Sequence, residues 1–160
     1  MNRTDLQAIR QLLFFTQAEA ARHVASTPEC PDGVTPDTWQ AWEAGTQPIP
    51  PHIVERITDL SEWRYGALAA TADNVRIQIG EQDGAPDSVF VIWYDNLDDW
   101  LSMPGREPVM WRLQQSVCAG LREMYSIVKL VCFDADAYRQ WRGERVDSES
   151  LRAEWASTVA

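Results

Sequence analysis

Positions 35–45, TPDTWQAWEAG, leave the chain little choice of local structure. Thr35 offers a side-chain oxygen as N-cap. Pro36 suits the first helical position, where its missing N–H would be unpaired anyway, and Gly45 can close the helix in a left-handed conformation. Trp39 and Trp42 are three apart, so both point inward. Thr35, Pro36, Asp37, Thr38, Gln40 and Ala41 are left to face outward. A short helix that is bulky on its buried side and small and polar on its outer side has the shape needed to lie in a DNA major groove.

The preceding segment supplies two neighbours for this helix. Residues 4–13 read as an amphipathic helix with Leu6, Ile9, Leu12 and Leu13 on one side, opened by Thr4 with Gln7 as a capping box. Thr16 and Glu19 repeat the box at the next helix, with Phe15 placed as a hydrophobic staple. Ala18, Ala20, Ala21 and Val24 give that helix a slim apolar surface for close packing. The connection over residues 25–34, ASTPECPDGV, is longer than a tight turn, and Pro31-Asp32-Gly33 marks a turn within it.

The runs Leu6-Gln7-Ala8-Ile9-Arg10, Thr16-Gln17-Ala18-Glu19 and Trp42-Glu43-Ala44-Gly45, the last followed by Ile49-Pro50, resemble the Cro/repressor-type (XRE) helix-turn-helix domain. A closer similarity is to YdiL-like bacterial proteins and anti-CRISPR-associated (Aca) autorepressors. These share Leu6-Gln7-Ala8-Ile9-Arg10, Trp39-Gln40, Trp42-Glu43 and Gly45, and also the distant segment Trp111-Arg112-Leu113-Gln114-Gln115-Ser116-Val117. The resemblance implies a lambda-repressor-like helix-turn-helix bundle and a partly buried ion pair, Arg10 with Glu43, joining the first helix to the end of the recognition helix. It also implies that Gln17 contacts a phosphate or braces that helix. Gln40 is the best base-reading candidate, because its amide can make two hydrogen bonds to adenine. Thr35, Asp37, Thr38, Ala41 and Thr46 complete the expected DNA face. Asp37 stands where the Aca regulators carry an arginine, and Thr46 where a basic residue is usual. A carboxylate at that place is repelled by phosphates, although it can accept a hydrogen bond from cytosine N4.

Charge limits the kind of DNA binder this can be. The chain carries 14 Lys+Arg against 24 Asp+Glu, a net of −10. Through Gly66, five arginines (Arg3, Arg10, Arg22, Arg56, Arg64) face nine acids. No basic stripe supplies the usual attraction to nucleic acid. This composition suits a specific regulator, relying on local arginines, helix N-termini and dimerisation, better than a general coating protein. The alternative is an acidic protein-interaction or antitoxin-like adaptor that keeps the helix-turn-helix fold without strong DNA binding. No apolar run approaches the ~20 residues of a membrane span, and the N-terminus lacks a signal peptide's order, so a cytoplasmic location is expected. Cys30, Cys118 and Cys132 form no CxxC pair and suggest neither a disulfide framework nor a zinc site. His23 and His52 lie in no ligand-spaced motif. Asp95, Asp98 and Asp99 cluster where acids also favour a helix dipole. With no Gly-rich phosphate loop, GxSxG or HExxH, an enzyme is not expected, nor a cofactor.

Beyond Gly45 the pattern predicts a helix from Pro50-Pro51 to about Thr71, with Ile53, Ile57, Leu60, Arg64 and Leu68 at helical spacing. An alternating strand follows at residues 75–79, then a turn at Asp83-Gly84 into a central apolar strand at residues 88–94. A short helix over 96–103, a longer one over 108–125, a third strand over 127–133 and two short helices from Ala135 and Ser148 complete the reading. The expected fold is mainly α, with a helix-turn-helix domain at residues 1–72 and an α+β companion at 73–160, a small sheet backed by helices. Dimerisation is expected through the helix at residues 111–124, where Ser116, Cys118, Ala119 and Gly120 permit close backbone approach. The partners expected are a palindromic double-stranded operator and a second copy of the chain. A small-molecule effector, if there is one, would sit in an apolar pocket walled by Trp93, Trp100 and Trp111.

Overall fold

The first helix, α1 (Arg3–Leu12), is capped two residues earlier than its sequence suggests. Asn2 is the N-cap, accepting from the Asp5 amide at 2.9 Å, while the Asp5 carboxylate takes the Asn2 amide at 3.0 Å. Two overlapping capping boxes are written here. The Asn2/Asp5 box prevails over Thr4/Gln7 because Asn is the stronger cap and the earlier start adds helical hydrogen bonds. The rotated face buries Leu6, Arg10 and Leu13, and Leu12 turns outward instead of joining them, 46% exposed. At 100° per residue Leu12 lies far from the line through Leu6, Arg10 and Leu13.

The computed structural model describes residues 1–81 and 87–160. These residues form two compact units, Met1–Gly66 and Ala67–Ala160. In the first, α2 (Gln17–Glu19) opens on the Thr16/Glu19 capping box and continues as a π-helical turn, Ala20–Val24. Ala20, Ala21 and Val24 are buried, whereas Ala18 is exposed and takes no part in the apolar surface. The loop then doubles back, the Val34 amide donating to the Ala21 carbonyl at 2.9 Å. Only glycine fits at position 33, where φ is +72° and a Cβ would collide with that carbonyl. Next comes α3 (Pro36–Ala44), with Thr35 as N-cap and Gly45 left-handed at φ 74°. Ile53, Ile57 and Leu60 of α4 (Pro51–Glu81) join Leu6, Leu13, Phe15, Trp39 and Trp42 among the buried residues of this unit.

Residues 75–79, expected as a strand, are the continuation of α4. Their apolar alternation also satisfies a helix, because Ala72, Val75 and Ile79 fall at helical intervals. Val75 is 3% exposed and Ile79 packs on the same cluster, but Ile77 points outward, 49% exposed. Nothing between Thr71 and Val75 breaks the helix, since no Gly or Pro intervenes. The expected turn at Asp83-Gly84 lies outside the described residues. The second unit therefore holds two strands among the described residues, β1 (Val89–Trp93) and β2 (Val128–Cys132), paired in parallel with Val89 opposite Val128 and Trp93 opposite Cys132. A parallel pair demands a crossover, supplied by α5 (Leu97–Leu101) and α6 (Pro108–Met124). The helices α7 (Ala135–Arg142) and α8 (Glu149–Val159) follow, and α8 packs on β1. The fold is mainly α with a small sheet.

Trp42→Ala opens a large cavity beneath α3, where the ring is 5% exposed and meets Trp39 edge-on at 5.5 Å. The expected loss is about 3–5 kcal/mol, read by chemical denaturation of the full chain. A variant with unchanged midpoint would place Trp42 outside the core.

Candidate functional site

The nine residues of α3 split cleanly into two sides. Trp39 and Trp42 are buried. Thr35, Pro36, Asp37 and Gln40 are exposed, and Thr38 and Ala41 are partly so. The Thr35 hydroxyl accepts from the Thr38 amide at 3.2 Å and pairs with the Thr38 hydroxyl at 2.9 Å, so both are engaged in capping. Thr46 donates its hydroxyl to the Ala41 carbonyl at 3.1 Å and thereby closes the C-terminal turn. Asp37 and Gln40 have no side-chain hydrogen bond among the described residues. They are the two long polar side chains this helix offers to a partner.

Behind that face sits a charged clamp centred on Glu43. Its Oε1 accepts from Arg10 Nε at 2.6 Å and from Trp39 Nε1 at 2.7 Å, and its Oε2 accepts from Arg10 Nη2 at 3.0 Å and Gln17 Nε2 at 2.8 Å. The remaining Arg10 nitrogen, Nη1, donates to the Phe15 carbonyl at 2.7 Å. The two ionic side chains are 9% and 4% exposed. Gln17 braces α3 through Glu43. Burial pushes the Glu43 pKa up, but the hydrogen bonds from Arg10, Gln17 and Trp39 outweigh it, and the carboxyl titrates below its ordinary range. The Trp39 contact was missed in the sequence, although its i, i+4 spacing from Glu43 allows it. Arg3 was missed as well. It donates to the Ala44 carbonyl at 2.9 Å and caps the end of α3 from another helix, for which the sequence carries no local signal.

The expected dimer residues are mostly covered by the chain itself. Ser116, Cys118 and Gly120 are buried within the second unit, and only Ala119 of that run is partly exposed. Apart from Ala119, the small residues of α6 are thus taken up by packing inside the chain. Among the described residues, no pocket joins Trp93, Trp100 and Trp111 either. Trp100 and Trp111 belong to the aromatic core, Trp111 donating to the Tyr94 carbonyl at 2.8 Å, and Trp93 donates to Asp95 at 2.7 Å. Asp95 also accepts from the Cys132 thiol, and Asp99 pairs with Asn96, the N-cap of α5. These acids have structural partners, and no metal-ligating group of three occurs among the described residues.

The sequence model of the Aca2/YdiL-like family matches residues 1–127. The chain is 33% identical over 120 residues to the Aca2 repressor of Pectobacterium phage ZF40, spanning 74% of this chain and 90% of that protein. It is 26% identical over 122 residues to the uncharacterized protein YdiL of Escherichia coli strain K12, spanning 76% and 92% respectively.

Arg10→Met should cost about 3–5 kcal/mol by stranding the Glu43 carboxylate, and Arg10→Met combined with Glu43→Leu should cost less, because both charges leave together. Additive losses in chemical denaturation would argue against the pairing. Since the folded pKa of Glu43 is lowered, its contribution is complete above the ordinary value of 4.5 and is lost as pH falls through the folded pKa. The double variant should show a flatter acid limb than wild type.

Proposed function

The chain belongs to the Aca2/YdiL-like family, and on that premise we propose that it is a sequence-specific DNA-binding transcriptional repressor. It acts as a homodimer on a palindromic operator, in control of its own or a neighbouring operon in the cytoplasm. Its helix-turn-helix consists of α2, with its π-helical turn, and α3 as the recognition helix. The observation that carries this reading is the exposed, uncommitted Gln40 on a short helix whose opposite side is locked by Trp39, Trp42 and Glu43. Such a helix presents an amide able to pair with adenine from a fixed position. The relative named a repressor supports the same reading. Two subunits would set two such helices about one DNA turn apart on half-sites of a palindrome. In that assembly Thr35, Thr38 and Thr46 shape the helix ends, and Ala41 leaves room for a base.

A second reading, an acidic protein-interaction adaptor on the same scaffold, is favoured by one feature. Asp37 is exposed in the first turn of α3, on a chain with a net charge of −10. The two readings separate in an electrophoretic shift with the DNA upstream of the coding region. A saturable shift that survives excess unrelated DNA supports the repressor. No shift, with no retention on heparin at low salt, supports the adaptor.

Gln40→Ala should lower discrimination among operator variants by about 1–3 kcal/mol per contacted base while leaving the melting temperature unchanged. Asp37→Arg should raise non-specific affinity and steepen its salt dependence. Competition shifts over a salt series measure both. A Gln40→Ala protein with undiminished discrimination removes that residue from base reading.

A further inference from the structure

The family match ends at residue 127, and α8 lies beyond it. Where α8 packs on β1, a cavity of about 340 Å³ remains, with Phe90, Ile92, Tyr94 and Trp100 forming its apolar wall. That volume lies within the range of small-molecule pockets.

The cavity also has two polar groups in its lining, Arg106 and Gln114. The Arg106 guanidinium is fixed by the protein, lying 4.0 Å from the Trp100 ring centre and 4.6 Å from that of Tyr94. It donates to the Trp100 carbonyl at 3.2 Å and the Tyr94 hydroxyl at 3.1 Å. Its counter-ion is different in kind. Glu149 accepts from Arg106 at 2.6 and 2.8 Å, yet its side chain is 69% exposed while that of Arg106 is 9% exposed. A pre-placed cation thus holds an exposed carboxylate from the first turn of α8, and it is the carboxylate, not the guanidinium, that a competing anion can reach and replace. The second group is Gln114. Its Nε2 donates to the Ile92 carbonyl at 2.7 Å, which fixes the amide orientation, and its buried Oε1 has no hydrogen-bond partner among the described residues. That oxygen is closed to solvent, so Gln114 belongs to the packed lining of the cavity.

We propose that this cavity binds a small amphipathic carboxylic acid. The carboxylate takes the place of Glu149 on Arg106, and the apolar body lies against Phe90, Ile92 and Trp100. Ligand binding is read directly on the full chain and does not depend on whether α3 reads DNA, so either reading can fail alone.

The test is isothermal titration, with ligand-observed NMR, using indole-3-acetate and octanoate as acids and indole-3-acetamide as the neutral control. At least one acid should bind with a Kd of about 1 mM or tighter, and the amide should bind at least about fivefold more weakly than indole-3-acetate where that acid binds. Glu149→Gln should tighten acid binding about fivefold by removing the competing carboxylate and leave the amide unchanged. Ala153→Trp, a filling change at an exposed position that lines the cavity, should abolish binding with an unaltered circular dichroism melt. The proposal is overturned if neither acid binds wild type or Glu149→Gln at up to about 10 mM. It is equally overturned if acid and amide bind alike, or if folded Ala153→Trp binds as wild type does.

Discussion

The carboxylate of Glu43 holds the first unit together. Each of its oxygens receives two donors, so its acceptor capacity is well used, and the donors come from α1, α2 and α3 in turn. A nine-residue helix has no stability of its own in water, and α3 owes its orientation to what it is fastened to. The tryptophans supply apolar burial without fixing rotation closely, whereas a bidentate guanidinium fixes both angle and register. Arg10 extends the constraint to the α1–α2 corner through the Phe15 carbonyl. Beside it Phe14 sits at φ 66°, a left-handed conformation that costs a non-glycine residue about 1–2 kcal/mol. The clamp therefore holds a strained turn and the exposed face of α3 in one arrangement.

The second unit solves a similar problem with different residues. Arg152, 1% exposed, lies 4.7 Å from the Phe133 ring centre and 5.4 Å from that of Tyr138. It donates to both Asp147 oxygens, at 3.0 and 2.8 Å. Hydrogen bonding from Arg152 outweighs burial and holds the Asp147 pKa down to about 2. Around this cation Tyr94, Trp100, Phe133 and Trp155 pack in tilted and edge-on pairs, where the negative ring faces suit a guanidinium. The residues that form the ion pair lie after the family-matched stretch, so the C-terminal segment brings its own charge and its own counter-charge into the core it completes.

Much of the fold was legible because its signals are local. The cap, proline and closing glycine of α3 are chemistry within eleven residues, and the structure contains each one as written. The Thr16 box, α6 and the two C-terminal helices belong to the same class. Errors arose where two local signals competed or where a partner was distant. Residues 75–79 satisfied two periodicities, and only the packing of Ala72 and Val75 with Val117, Leu121 and Val128 decides between them. The parallel pairing of β1 with β2 joins segments separated by two helices, which no neighbouring turn announces. In the site, Arg10, Gln17 and Glu43 were visible through family resemblance, but Arg3 on Ala44 was not. The small residues of α6 suggested an open surface because composition does not say which side of a helix is already covered.

The electrostatics of the α3 face give the clamp more consequence. Of the five arginines through Gly66, Arg10 is consumed by Glu43, and Arg3 donates to the end of α3. Arg22 and Arg56 are exposed, and over the same residues nine acids outnumber the five arginines. Each phosphate neutralised adds roughly one unit to the salt slope of binding, so a domain with so few available cations gains little non-specific affinity from counterion release. Under the proposed reading, the energy of recognition then has to come from contacts to base edges. Those contacts are short and directional, and a bidentate amide on adenine tolerates little displacement. A chain with a strongly basic face can tolerate a loosely held recognition helix, because its charge keeps the helix near the duplex. This chain has no such reserve. On that reading, the less its surface charge contributes, the more discrimination depends on the angle at which Glu43 holds α3.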